Sequence, residues 1–269
     1  MENELERTPD ITVTEDPWTD LRQFTEARIA LGRCGVAPPL QANLDFKLAH
    51  AQARDAIYCE FAKDDLKREL SDRHPVLILK SEAQTRHEYL TRPDKGRKLN
   101  TESLNALRNV EAPAGGWDLC FVVGDGLSPR AIHESAVDFI RSFLEASVGL
   151  PLKIAPICIV ENARVAIADE VGKTLGAKLS VILIGERPGL SSPNSMGIYL
   201  TYDPQPGKTD ESRNCISNVR TGGMSIKAGV QKLSYLIENA IALKLSGVNL
   251  KDTMPSNYLP FLNTPKLGG

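Results

Sequence analysis

The sequence predicts an α/β protein with a Rossmann-like open, mainly parallel sheet and helices on both faces, preceded by a small N-terminal helical domain. From Pro75 onward short apolar runs alternate with amphipathic stretches, as strands buried on both sides alternate with the helices that cross between them. The stretch VVGDGLSPRAIHE, residues 122–134, leaves an apolar run through two glycines and enters a helix, the strand–turn–helix junction of such sheets. Residues 44–70 hold no Gly or Pro and carry dense acid and base, which suits a long amphipathic helix ahead of the sheet.

Taken in order, residues 1–17 are polar, rich in Thr, Glu, Asp and Pro, and offer little to pack, so a flexible N-terminal tail is expected. A small helical domain is expected over 18–72. It has one helix near 21–31, stopped by Gly32 and Gly35, and a longer one over 44–70 that Asn43 can cap. Residues 73–269 form the Rossmann-like domain, with strands expected at 76–80, 117–123, 154–160, 179–184 and 197–202. Its helices are expected at 129–146, where Ile132, Ala136, Phe139 and Phe143 share a face, at 165–175, and at 226–245. Residues 91–100 and 204–223 are polar and glycine-bearing and are expected as loops.

A chain of 269 residues, 42% hydrophobic and 25% charged, can bury a sizeable core. Its formal net charge of -2 gives no overall basic field, so nucleic acid is not an expected partner. The acidic N-terminus lacks an apolar signal segment and no run is long enough to span a membrane, so a soluble, cytoplasmic protein is expected. Five cysteines, at 34, 59, 120, 158 and 215, are odd in number and far apart, which suits thiols in a reducing compartment.

The motifs narrow the chemistry mainly by failing. Gly124 and Gly126 begin a dinucleotide fingerprint, but Pro129 stands where its third glycine belongs. Gly126, Leu127 and Ser128 begin a nucleophile elbow that Arg130 breaks. Two phosphate-loop lookalikes, at Gly172–Lys173–Thr174 and Gly207–Lys208–Thr209, lack the leading glycine, with Ile167 and Tyr202 in its place. The histidines at 50, 74, 87 and 133 have no helical zinc spacing, so no metal ligand is expected. Asp72, Arg73 and His74 open the D-x-H-x-x-G pattern by which some cobalamin proteins ligate cobalt, but Leu77 replaces its glycine. Strand-end turns carrying Asp125, Asn162, Arg164 and Glu186 are expected to line one crevice, rich in hydrogen-bonding groups and without a nucleophile paired to a base.

ARIALGR (27–33), LDFKLAHAQARDA (44–56), EYLTRPDKGRKL (88–99), VVGDGLS (122–128), ARVAIADEVG (163–172), GERPGLSSP (185–193) and RNCISNVR (213–220) are, in order, similar to landmarks of one family. That family is the small subunit of ethanolamine ammonia-lyase, and the resemblance covers nearly everything from about residue 20 to 250. It implies part of an adenosylcobalamin-dependent lyase that converts ethanolamine to acetaldehyde and ammonia. A large, TIM-barrel subunit would bind substrate and host the radical chemistry, and this chain would close over the cobalamin without being active alone. The resemblance implies cofactor contacts at Val165, Glu186 and Cys215, with no catalytic residue here. Residence in a bacterial microcompartment is a further implication. Two other classes stay open: a free-standing dinucleotide-binding enzyme that uses the GDGLS turn, and a structural partner subunit that never touches cofactor.

Overall fold

The computed structural model describes residues 13–261. They form two compact units: residues up to Arg54 together with Gly189–Ser192, and Asp55–Pro188 together with residues from Pro193 onward. Most of the expected flexible tail, 1–12, lies outside the described residues. Within the first unit Thr14 and Arg33 exchange backbone hydrogen bonds of 2.8 and 2.9 Å. The helix expected at 21–31 is not formed there. A 3-10 helix, Thr19–Phe24, ends as Thr25 turns extended, and Ala30, Gly32 and Gly35 all take positive φ. Left-handed residues cannot continue a right-handed helix, so the segment reverses instead.

The single helix expected over 44–70 is two, α1 (Leu40–Tyr58) and α2 (Lys63–Leu70). No residue between them is a helix breaker. The break is held by tertiary partners, with the His133 Nε2 3.3 Å from Ala62 N and 3.1 Å from Glu60 O, and Arg86 Nε donating to Ile57 O at 2.9 Å.

The second unit carries a mixed six-stranded sheet with helices on both sides. Its strands are β1 (Val76–Lys80), β2 (Trp117–Gly124), β3 (Ile157–Glu161), β4 (Ala177–Gly185), β5 (Met196–Tyr202) and β6 (Arg213–Val219), in spatial order β1-β3-β2-β4-β5-β6. The pairs β1–β3, β3–β2 and β2–β4 are parallel, whereas β5 runs against β4 and β6 against β5. Of the helices, α3 (Arg86–Thr91) and α4 (Thr101–Arg108) follow β1, α5 (Pro129–Ala146) follows β2, α6 (Ile167–Leu175) follows β3 and α7 (Ile226–Leu243) follows β6. The period of two along each strand sorts the core into layers. Leu119, Phe121, Val123, Val181 and Leu183 pack with α5 and α7, and Cys120, Val122, Cys158 and Ile182 pack with α6. Each such buried apolar side chain contributes about 1.5–3 kcal/mol against about 0–1 for a surface ion pair, so the two layers dominate the stability.

Residues 204–223, expected as loop, contain β6. Its sequence RNCISNV is mostly polar because it is an edge strand with one packed face, and its buried positions, 213, 216 and 219, do not alternate because the register is irregular. Ile216 and Val219 are buried while Cys215, Ser217 and Asn218 are exposed. The helices that pack on β5 and β6 are α5 and α7, both on the first face.

Candidate functional site on the open sheet face

At the end of β2 the GDGLS turn is closed by the chain's own groups. Asp125, 2% exposed, accepts hydrogen bonds on Oδ1 from Gly126 N (3.0 Å) and Ala163 N (2.8 Å), and its Oδ2 lies 3.1 Å from Arg86 Nη1. Burial pushes the carboxyl up to about 6, with Arg86 and the backbone donors pulling the other way. Gly126, at φ +57°, lies so near the end of β4 that a Cβ there would stand 2.2 Å from the Gly185 carbonyl oxygen. Ser128 caps α5 by accepting from Ala131 N, and its own hydroxyl donates to Pro193 O at 2.8 Å. The crevice expected from Asp125, Asn162, Arg164 and Glu186 is therefore not one open site. Asp125 and Asn162 are buried, the latter donating to Ala83 O, and Arg164 donates to Tyr89 O with its guanidinium 4.3 Å from that ring's centre. The strand order reverses beside β2, where an open α/β sheet takes a dinucleotide, and here that space is filled.

Glu186 and Cys215 instead meet on the second face of β5–β6. Cross-strand register sets Tyr199 against Cys215, so their side chains share this face. Glu186 follows β4, and its backbone N–H donates to Ser195 O at 2.9 Å. The Ser195 hydroxyl donates to Glu186 Oε2, as does Asn218 N at 3.3 Å. Asn218 reaches this position with a positive φ, near the irregular register between Met196 and Ile198, and Asn tolerates that region well. Gly197 lies beneath the carboxylate: a Cβ there would come 2.9 Å from Glu186 Oε1 and 3.3 Å from the Tyr199 ring. Both bonds to the carboxylate land on Oε2, which holds the group in place and leaves Oε1 with acceptor capacity. Loss of water around the Tyr199 phenol, and around the Cys215 sulfur although that residue is exposed as a whole, raises both groups, and the nearby Glu186 charge adds to it, so both stay protonated near neutral pH.

Val165 is half-buried just ahead of α6 and packs on the second-face layer that also includes Tyr199. It lines a cleft of about 710 Å³ in which Arg97, Lys98, Arg164 and Lys208 face Asp94, Glu170 and Asp210. The cleft also reaches Arg213, whose guanidinium bonds Asp169 at 2.8 Å and Thr201 Oγ1 at 3.2 Å. All three expected contact residues thus belong to one face of the sheet. Tyr199, Ser195, Asn218 and Gly197 were not singled out from sequence. The alternation in MGIYLTY puts Gly197 and Tyr199 on one face, but only the pairing register joins them to Cys215.

Among the described residues, no group of three or more His, Cys, Asp and Glu is placed to hold a metal ion, and no helix is long and apolar enough to cross a membrane. His74 Nε2 is 3.0 Å from the Ala155 carbonyl oxygen.

The family model for the ethanolamine ammonia-lyase light chain (EutC) matches residues 15–251. The chain belongs to that family. It is 51% identical over 243 residues to the ethanolamine ammonia-lyase small subunit of Pseudomonas fluorescens strain Pf-5, covering 90% of this chain and 89% of that one. It is 50% identical over 248 residues to the small subunit of Pseudomonas putida strain F1, covering 91% and 90%. With the small subunit of Pseudomonas syringae pv. tomato strain DC3000 it shares 48% over 246 residues, covering 91% and 86%. A family of ammonia-lyase light chains has members that are subunits of a carbon–nitrogen lyase, which agrees with the want of any paired nucleophile and base on this face.

Proposed function

We propose that the chain forms one wall of the adenosylcobalamin site of an ethanolamine ammonia-lyase, with a large subunit carrying substrate and radical chemistry. The observation that carries this is the gathering of Glu186, over Gly197, and Cys215, across from Tyr199, on a sheet face that α7 leaves open, with Val165 on the same face. The donor and acceptor set fits the cofactor. Cobalamin presents an apolar ring, many amide arms and a nucleotide tail, and it needs acceptors and flat apolar contact rather than a glycine fingerprint.

Glu186 Oε1 would accept hydrogen bonds from an amide or hydroxyl of a side arm, with Ser195 and Asn218 fixing the carboxylate from behind. Cys215 would supply close contact with a polarizable surface and Val165 an apolar one. The chemistry that the bound cofactor supplies is radical hydrogen abstraction. What this chain contributes is binding, orientation and exclusion of water on one side. His74, bonded to the Ala155 carbonyl, is not among the residues that would hold the cofactor. A cytoplasmic setting, within a bacterial microcompartment, belongs to the same proposal. The filled space at the end of β2 disfavours the dinucleotide alternative.

The test is co-expression with a large subunit. Co-purification and cobalamin-dependent turnover of ethanolamine are expected, and failure to associate would overturn the assignment.

A further inference from the structure

Tyr199 stands at the centre of the proposed site and has no role yet assigned. It is half-buried, it lies directly across the strand pair from the exposed Cys215, and its ring edge comes within contact distance of the space above Gly197 that Glu186 Oε1 occupies. An aromatic ring that an edge strand leaves half-open offers a large apolar contact at little entropic cost, since it has few rotatable bonds.

We infer that the Tyr199 ring is a cofactor-contacting surface, packing against the flat apolar part of the corrinoid between the Glu186 and Cys215 contacts. This rests on the cobalamin-wall proposal. It adds a binding residue and a division of labour: Glu186 for a polar arm, Tyr199 for apolar area, and Gly197 as the bare position that lets both lie flat. A Cβ at 197 would displace the carboxylate, because 2.9 Å is closer than a carbon and an oxygen without a hydrogen bond can approach.

The test is equilibrium titration of the large-subunit complex with hydroxocobalamin, followed by visible absorbance. Parent, Tyr199→Phe, Tyr199→Ala, Gly197→Ala and Glu186→Ala are compared, with size-exclusion chromatography and thermal unfolding of the cofactor-free complex as controls. Tyr199→Phe keeps the ring and is expected to bind within about threefold of the parent, whereas Tyr199→Ala is expected to weaken binding about tenfold or more. Gly197→Ala is expected to weaken binding as Glu186→Ala does. If Tyr199→Ala does not assemble, Tyr199→Leu takes its place, and it too must lose affinity because it lacks the flat ring. Should Glu186→Ala weaken binding while Tyr199→Ala or Tyr199→Leu binds like the parent, the inference about Tyr199 is overturned and the cobalamin wall stands. Should none of the variants change binding, the wall itself falls.

Discussion

At Asp125 burial and charge pull in opposite directions, and burial prevails. The folded carboxyl titrates near 6, above the ordinary 3.8, so the native state holds the proton more tightly than the unfolded chain does. The stability this provides is full below about pH 4 and is lost as pH rises through about 6. Asp125→Asn removes the titration. The stability difference between parent and variant, from urea unfolding, is expected to shift against the parent by on the order of 2 kcal/mol between pH 4 and pH 7. A pH-independent difference would show that Arg86 keeps the carboxylate ionised throughout. On the open face, Cys215→Ser is expected to weaken cobalamin binding less than loss of the Glu186 carboxylate does, because a thiol offers contact more than a strong hydrogen bond. Titration of the complex reads this, and equal losses would contradict it. Glu186 and Cys215 were legible from sequence because whole motifs around them are distinctive. Tyr199, Ser195 and Asn218 were not, since their roles come from strand register and from one positive-φ residue, neither of which a single sequence displays.

Among the elements, β6 decides the shape of the site and was the one strand that periodicity missed. Five strands and the helices α5, α6 and α7 were legible because their apolar residues repeat at 2 or 3.6. In β6 only Ile216 and Val219 are large buried apolar residues, they stand three apart, and the rest are Arg, Asn, Ser and an exposed Cys, so the segment reads as loop. The break between α1 and α2 was illegible for a different reason, since His133 and Arg86 hold it from far along the chain. What pins β6 to the second face is Arg213, 2% exposed at its side chain, bonded to Asp169 of α6, to Thr201 of β5 and to Lys208 O. Asp169→Ala leaves that buried guanidinium with only the exposed Asp210 carboxylate, 3.5 Å away, as a charged partner and is expected to cost about 3 kcal/mol of stability. Replacing both residues with apolar ones of similar volume should recover most of the loss. Chemical denaturation of the three variants checks this, and an unchanged Asp169→Ala midpoint would mean that solvent reaches Arg213.

Over the whole molecule, the polar groups at the carboxyl ends of the parallel strands serve the fold, and the open face of the antiparallel pair is the one proposed to meet the cofactor. Among the described residues no serine or cysteine is hydrogen-bonded to a histidine base, so the purified chain is expected to turn over no ethanolamine and to gain activity only with the large subunit. Ammonia release by the single chain would contradict that. The most direct test of the cobalamin wall is titration of the large-subunit complex containing Glu186→Ala against the parent, with size-exclusion chromatography confirming that both assemble. An intact complex whose cobalamin binding is weaker by about 1–3 kcal/mol is expected, because cofactor donors lose their acceptor. An intact complex that binds cobalamin as the parent does would show that the Glu186 carboxylate does not hold the cofactor.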